Sequence, residues 1–97
     1  MTAKVSRTLL PKDQIAIELK KLDGWSLVKK EIRKTWEFKD FVHALKFVNA
    51  VAAIAEQFNH HPDIDIRWNK VSLTLSTHSA GGLTSLDFML AKALEEI

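Results

Sequence analysis

A chain of 97 residues, 46% of them apolar, can build one domain with a real core and is too apolar to be disordered. It has no cysteine, which removes disulfides, thiolate metal ligands and a cysteine nucleophile. A formal net charge of +2 is too mild to mark a nucleic-acid surface, and no run of about 18 apolar residues is available to span a membrane. Met1 to Arg7 is polar and lacks an apolar signal core. The expectation is one cytoplasmic domain over residues 1–97, with no direct contact with nucleic acid or membrane.

Ile15, Leu19 and Leu22 recur at helical spacing, with Pro11 suited to a first turn and Gly24 to the residue past a helix end. A helix is predicted over 12–22. From Trp25 the period changes to two: Trp25 and Leu27 flank Ser26, and Ile32, Trp36 and Phe38 alternate with Arg33, Thr35 and Glu37. This predicts a hairpin with one aromatic face buried and one charged face wet. Lys29-Lys30-Glu31 lies between its arms. The basic group Lys29, Lys30, Arg33 and Lys34 reads as a solvated hairpin tip.

Phe41 to Phe58 is the longest predicted element, with Asp40 suited to cap its start. His43, Lys46 and Asn49 form a narrow polar stripe, on which His43 reads as simply solvated. Phe41, Val42, Leu45, Phe47, Val48, Val51, Ile54 and Phe58, with alanines between, make almost everything else apolar. An ordinary surface helix has a one-sided apolar arc. This one is too wide for a small sheet to cover, so a second partner is expected, most simply another subunit's helix.

Asp63 to Thr77 alternates again, with Ile64, Ile66 and Trp68 on one face, continued by Val71, Leu73 and Leu75. Asn tolerates positive φ, so a two-residue turn at Asn69-Lys70 is expected. That register sets Trp68 opposite Val71, Ile66 opposite Leu73, Ile64 opposite Leu75 and Pro62 opposite Thr77. It then sets His61 opposite His78, with Cβ atoms roughly 4.5–5.5 Å apart. Ser79-Ala80-Gly81-Gly82 breaks the strand, and Thr84-Ser85-Leu86-Asp87 resembles a capping box. Leu86, Leu90, Ala93, Leu94 and Ile97 give a last helix its apolar face. The order α-β-β-α-β-β-α implies an α+β fold of two layers, a four-stranded antiparallel sheet with three helices on one face.

Three of the four histidines, His60, His61 and His78, fall at the ends of predicted elements. Imidazole both gives and takes protons near neutrality, so such a group suits a reaction needing an acid and a base at once. Each has a plainer reading. His60 and His61 can serve a helix C-terminus ended by Pro62, His78 can be a strand-end residue, and Asp87 can be only a cap. Three histidines can also hold zinc. Adjacent residues leaving a helix diverge, however, and no carboxylate sits at a convincing ligand spacing, so no metal is expected. There is no Gly-x-Ser-x-Gly elbow, and Gly81-Gly82 alone is no phosphate loop.

Glu56, His60-His61-Pro62, Trp68, His78 and Asp87 are spaced as in the pterin-4a-carbinolamine dehydratases, also known as dimerisation cofactors of a hepatocyte nuclear factor, which the sequence closely resembles. The words Asn69-Lys70-Val71, Leu75-Ser76-Thr77-His78 and Gly82-Leu83-Thr84 are also similar. So are Gly24-Trp25 and Phe38-Lys39-Asp40-Phe41, so the likeness covers all but roughly the first eight residues. The resemblance implies a cofactor-free dehydratase that removes water from 4a-hydroxytetrahydropterin to give quinonoid dihydropterin. It implies catalysis by His60, His61, His78 and Asp87, and substrate contacts from Asn59, His60, His61, Pro62, Ser76, Thr77 and His78. Within that set, His61 and His78 would carry the acid–base roles, Asp87 would orient a histidine or the substrate, and backbone groups of Ser76 and Thr77 would meet the pterin amide edge. It further implies dimers or tetramers assembled through the 41–58 helix, and, as an alternative, a pterin-binding, assembly or transcription-coactivator role without catalysis. One departure is Ile64, where some animal members carry a bulky aromatic residue.

Overall fold

The computed structural model describes residues 7–97; most of the polar N-terminal stretch therefore lies outside the described residues. Along the chain run α1 (Lys12–Lys20), β1 (Ser26–Val28), β2 (Glu31–Glu37), α2 (Phe41–Phe58), β3 (Asp63–Arg67), β4 (Lys70–Leu75) and α3 (Ser85–Leu94), with a 3-10 turn at His78–Ala80. The strands form one antiparallel sheet in the order β1-β2-β4-β3, which leaves β1 and β3 at its edges. The expected element order and the two-layer α+β architecture are both present. No helix among the described residues is long and apolar enough to cross a membrane.

The core follows from the alternation. Ile32 of β2 and Val71, Leu73 and Leu75 of β4 all point inward and are fully buried against Ala44 and Val51 of α2 and Leu90 and Ala91 of α3. Each such large side chain contributes roughly 1.5–3 kcal/mol relative to exposure. The opposite sheet face stays polar: the Thr35 and Ser72 hydroxyls lie 2.8 Å apart, and Asp65 accepts from Arg67 at 3.2 Å. The hairpin aromatics pack on Phe47 of α2, with ring centroids 4.9 Å away for Trp36 and 5.0 Å for Phe38. Trp25 meets Trp36 edge-on at 5.7 Å.

Several expectations are corrected. The β3–β4 turn is Trp68-Asn69, one residue earlier than Asn69-Lys70, so Arg67 pairs with Lys70, Ile66 with Val71 and Ile64 with Leu73. The reason lies outside the hairpin. Asn69 is buried, its side-chain amide donates to the Phe38 carbonyl at 2.8 Å, and its own carbonyl accepts from Phe38 N–H at 2.8 Å. Trp68, left-handed at φ 53°, is thereby turned out to solvent. Leu27 is exposed too, because β1 is a short edge strand.

Lys34 belongs to no solvated tip. It sits between Ile32 and Trp36 on the inner face, where its ammonium donates to the Asp23 carbonyl at 2.8 Å and to the Glu95 carboxylate. It also lies 5.0 Å from the Trp36 ring centroid, a cation–π arrangement. Leu22 buries itself just past the end of α1, and Ile97 is exposed beyond α3, where Phe88 and Ala91 take the inner places instead.

Candidate active site

Helix α2 begins and ends on side chains that the sequence provides for the purpose. Asp40 Oδ1 accepts from the His43 N–H at 2.9 Å and lies 2.6 Å from His43 Nδ1. The backbone N–H of His43, then its side chain, hold the Asp40 carboxyl below its ordinary value of 3.8. At the other end Asn59 adopts the left-handed conformation (φ 49°, ψ 44°). His60 N–H donates to Ala55 O at 3.1 Å and Asn59 N–H to Glu56 O at 3.2 Å, which is a Schellman motif. That motif ends the helix before the histidines and turns His60 back under the molecule.

His60 is buried, and its Nε2 lies 2.6 Å from Oδ1 of Asp87. Asp87 is itself fully buried. Its Oδ2 accepts from the Thr84 N–H at 2.9 Å, the carboxylate half of the expected capping box, and from the Thr77 hydroxyl at 2.8 Å. Thr84's hydroxyl, 2.8 Å from that of Thr77, must then be the donor to it. With its second oxygen saturated by donors, Asp87 is an acceptor toward His60, so the proton of that contact resides on Nε2. A buried carboxylate is tolerable here because every contact it makes is a donor's.

His61 is exposed and hydrogen-bonds through Nε2 to the carboxylate of Glu56, one turn back on α2. His78 opens the 3-10 turn after β4 and is exposed as well. Extending the observed ladder sets Ser76, not His78, across from His61, so the expected direct pairing of the two imidazoles is corrected. They still line one cleft of about 280 Å³, with Asn59 and His60 from the end of α2 and Ser76 and Thr77 from the end of β4. Pro62 is half-buried outside the lining, and Asp87 stands behind His60.

Arg7, Asp63 and Ser79 complete the wall and were not expected from the sequence, since each arrives there by the register or the loop and carries no motif. Arg7 donates to the Asn59 carbonyl at 3.3 Å. Thr77 contributes little free backbone: its N–H donates to Gly82 O at 2.8 Å, and its carbonyl accepts from Ala80, Gly81 and Gly82. Ser76 and His78 also line a neighbouring cleft of about 420 Å³ that continues past Glu31 to Lys29 and Lys30. Where sequence spacing offered no carboxylate for a metal, folding brings Glu31 and Asp63 to His78, with one ligand atom from each within 4.8 Å of the others. Asp63 and His78 are exposed and Glu31 is half-buried, and such acidic groups near a surface commonly carry no ion.

Comparison with known proteins gives the chain its family. The family model described as pterin 4 alpha carbinolamine dehydratase matches residues 8–97. A Roseiflexus castenholzii protein named "Putative pterin-4-alpha-carbinolamine dehydratase" is 53% identical, over 92% of this chain and 96% of that one. A Sulfurisphaera tokodaii protein of the same name is 49% identical, over 91% and 95% respectively. A crystal structure described as a transcriptional coactivator/pterin dehydratase from Brucella melitensis superposes with a TM-score of 0.85 at 36% identity, covering 90% of this chain and 95% of that one. With the match running from residue 8 to residue 97 and relatives this similar across almost their whole length, the chain belongs to the pterin-4-alpha-carbinolamine dehydratase family.

Proposed function

We propose that this protein dehydrates 4a-hydroxytetrahydropterin to quinonoid dihydropterin and water, acting as a single cytoplasmic domain that recycles the pterin used by aromatic amino acid hydroxylases. The observation that carries the reading is the convergence of His60, His61 and His78 on one cleft, two of them backed by carboxylates. In the reaction the C4a–O bond breaks, a proton goes to the departing oxygen and a ring N–H gives up its proton as the C=N bond forms. An acid and a base must therefore face the substrate together.

His61 and His78 are assigned that exchange, being the two exposed imidazoles of the cleft. His60, held through Nε2 by Asp87, fixes the substrate's orientation, and its own orientation is fixed by the Thr77–Thr84–Asp87 network. Ser76 supplies backbone groups for the pterin amide edge, while Asn59 and Thr77 line the cleft around it. Two such positioned proton transfers account for about 10²–10⁴-fold each.

Assembly into dimers or tetramers is assigned to α2, whose outer side exposes Phe41, Val42 and Leu45. The same apolar face is what a non-catalytic assembly or coactivator role would use. The test is the decay of freshly generated 4a-hydroxytetrahydropterin, followed by ultraviolet absorbance, with purified protein and with chelator present. Acceleration that survives chelation supports histidine catalysis. A folded protein that leaves the spontaneous rate unchanged would shift the function to assembly, and acceleration abolished by chelator would shift it to a metal.

A further inference from the structure

The histidine cleft does not end at the histidines. It shares Ser76 and His78 as walls with the cleft beside Lys29 and Lys30, and that cleft shares these lysines and Gly81-Gly82 with a groove of about 610 Å³. Three pieces of chain build the groove: Leu9 and Leu10 with the first turn of α1, the β1–β2 hairpin, and the Gly81–Leu83 loop. They are tied together where Leu10 N–H donates to Leu83 O at 2.9 Å. Gly82 closes the floor, since a Cβ there would stand 3.0 Å from Leu9 Cδ2.

Its walls are apolar, and two of its side chains, Leu9 and Leu27, are about half exposed among the described residues. The rim is cationic. Lys12, Lys29 and Lys30 stand on the walls of the two outer clefts against one carboxylate, Glu31, and among the described residues no ion pair engages any of these lysines.

In a pterin the pyrazine carbon that bears the substituent is bonded to the reacting ring nitrogen, so a ring whose reacting edge meets His61 and His78 in a cleft of about 280 Å³ holds its substituent beside those two residues. We infer that it leaves past Ser76 and His78 into the groove, and that the groove selects pterins whose substituent is an apolar or aromatic stem ending in a carboxylate, as in a folate. The apolar walls take the stem and the lysines take the anion. This rests on the dehydratase reading for the orientation of the ring. A short neutral polyol substituent would leave Leu9, Leu27 and the lysines without a partner.

The test uses 7,8-dihydrofolate and 7,8-dihydrobiopterin as stable probes, titrated against the whole protein by fluorescence or calorimetry, beside the dehydration assay. Two screened lysine contacts predict dihydrofolate binding roughly three- to tenfold tighter, with the preference shrinking as salt is raised. The double variant Lys29→Gln/Lys30→Gln should bring the ratio of the two affinities toward one, and Leu27→Asn should lower it by a separate part. Equal affinities in the wild-type protein, or a preference indifferent to salt and to both variants, would overturn the inference. A preference that behaves as expected in a protein that accelerates no dehydration would leave the groove standing and remove the dehydratase reading alone.

Discussion

Asp87 does two jobs with one buried carboxylate: Oδ1 meets His60 Nε2 at 2.6 Å, while Oδ2 caps α3 through Thr84 N–H and holds Thr77. The two jobs separate by substitution. In Asp87→Asn the amide oxygen can still accept from Thr77 and Thr84, but the NH₂ group then faces His60, which must move its proton to Nδ1. Expected is a fall in dehydration of about 10²-fold with only modest loss of stability. Asp87→Ala leaves buried donors unpaired and should cost roughly 3–5 kcal/mol in urea unfolding. Full activity in Asp87→Asn would mean that the tautomer of His60 is immaterial.

His61 and His78 make no core contacts that would mask a catalytic defect. Both are exposed, so His61→Ala and His78→Ala should each leave unfolding within about 0.5 kcal/mol of wild type, while dehydration falls by about 10²–10⁴-fold. Glu56 is the milder case. Its pair with His61 is open to solvent on both sides, and Glu56→Gln should slow the reaction by at most about fivefold. Rate measurements on folded variants decide this, and normal rates in both histidine variants would sink the assignment.

The sequence and the structure agree where local chemistry decides and part where distant residues do. The 41–58 helix was legible to the residue because an N-cap Asp40 and the break before Pro62 are both local signals, and the Thr84–Asp87 box is local too. The β3–β4 register was not. An Asn-based turn was expected at Asn69-Lys70, but Asn69 is taken by Phe38 from another hairpin, which sequence spacing does not reveal. That shift of the turn replaced His78 by Ser76 opposite His61. The histidines still meet, because the Thr77–Gly82 bridge and the following 3-10 turn return His78 to the cleft. Lys34 was misplaced for a similar reason: its partners Asp23 and Glu95 come from elsewhere in the chain.

The breadth of the apolar arc on α2 was legible, but not which part of it is spare. Val51 is fully buried in the core, whereas Val42 and Leu45 are exposed. Val51→Asp would place an unpaired carboxylate in the interior at a cost of several kcal/mol, a large share of a domain's roughly 5–15 kcal/mol. It should therefore unfold the protein. Val42→Asp and Leu45→Asp should keep the circular dichroism of the folded chain and lower the mass seen by light scattering. An unchanged mass in both would remove α2 as the interface.

The start of the same helix offers a test by pH. Asp40 lies below its ordinary value of 3.8 because the His43 N–H, and then the His43 ring, stabilise the charged form. A carboxyl whose native pKa is depressed contributes stability that is fully present above its unfolded value and is lost as pH falls through the native one. Asp40→Ala should therefore melt a few degrees below wild type at neutral pH. The gap should hold steady down to mildly acidic pH and narrow only below about pH 4, as the wild-type carboxylate takes up its proton. Melting curves of both proteins across that range measure it. A gap that failed to narrow below about pH 4 would show that the charged N-cap is not what Asp40 contributes.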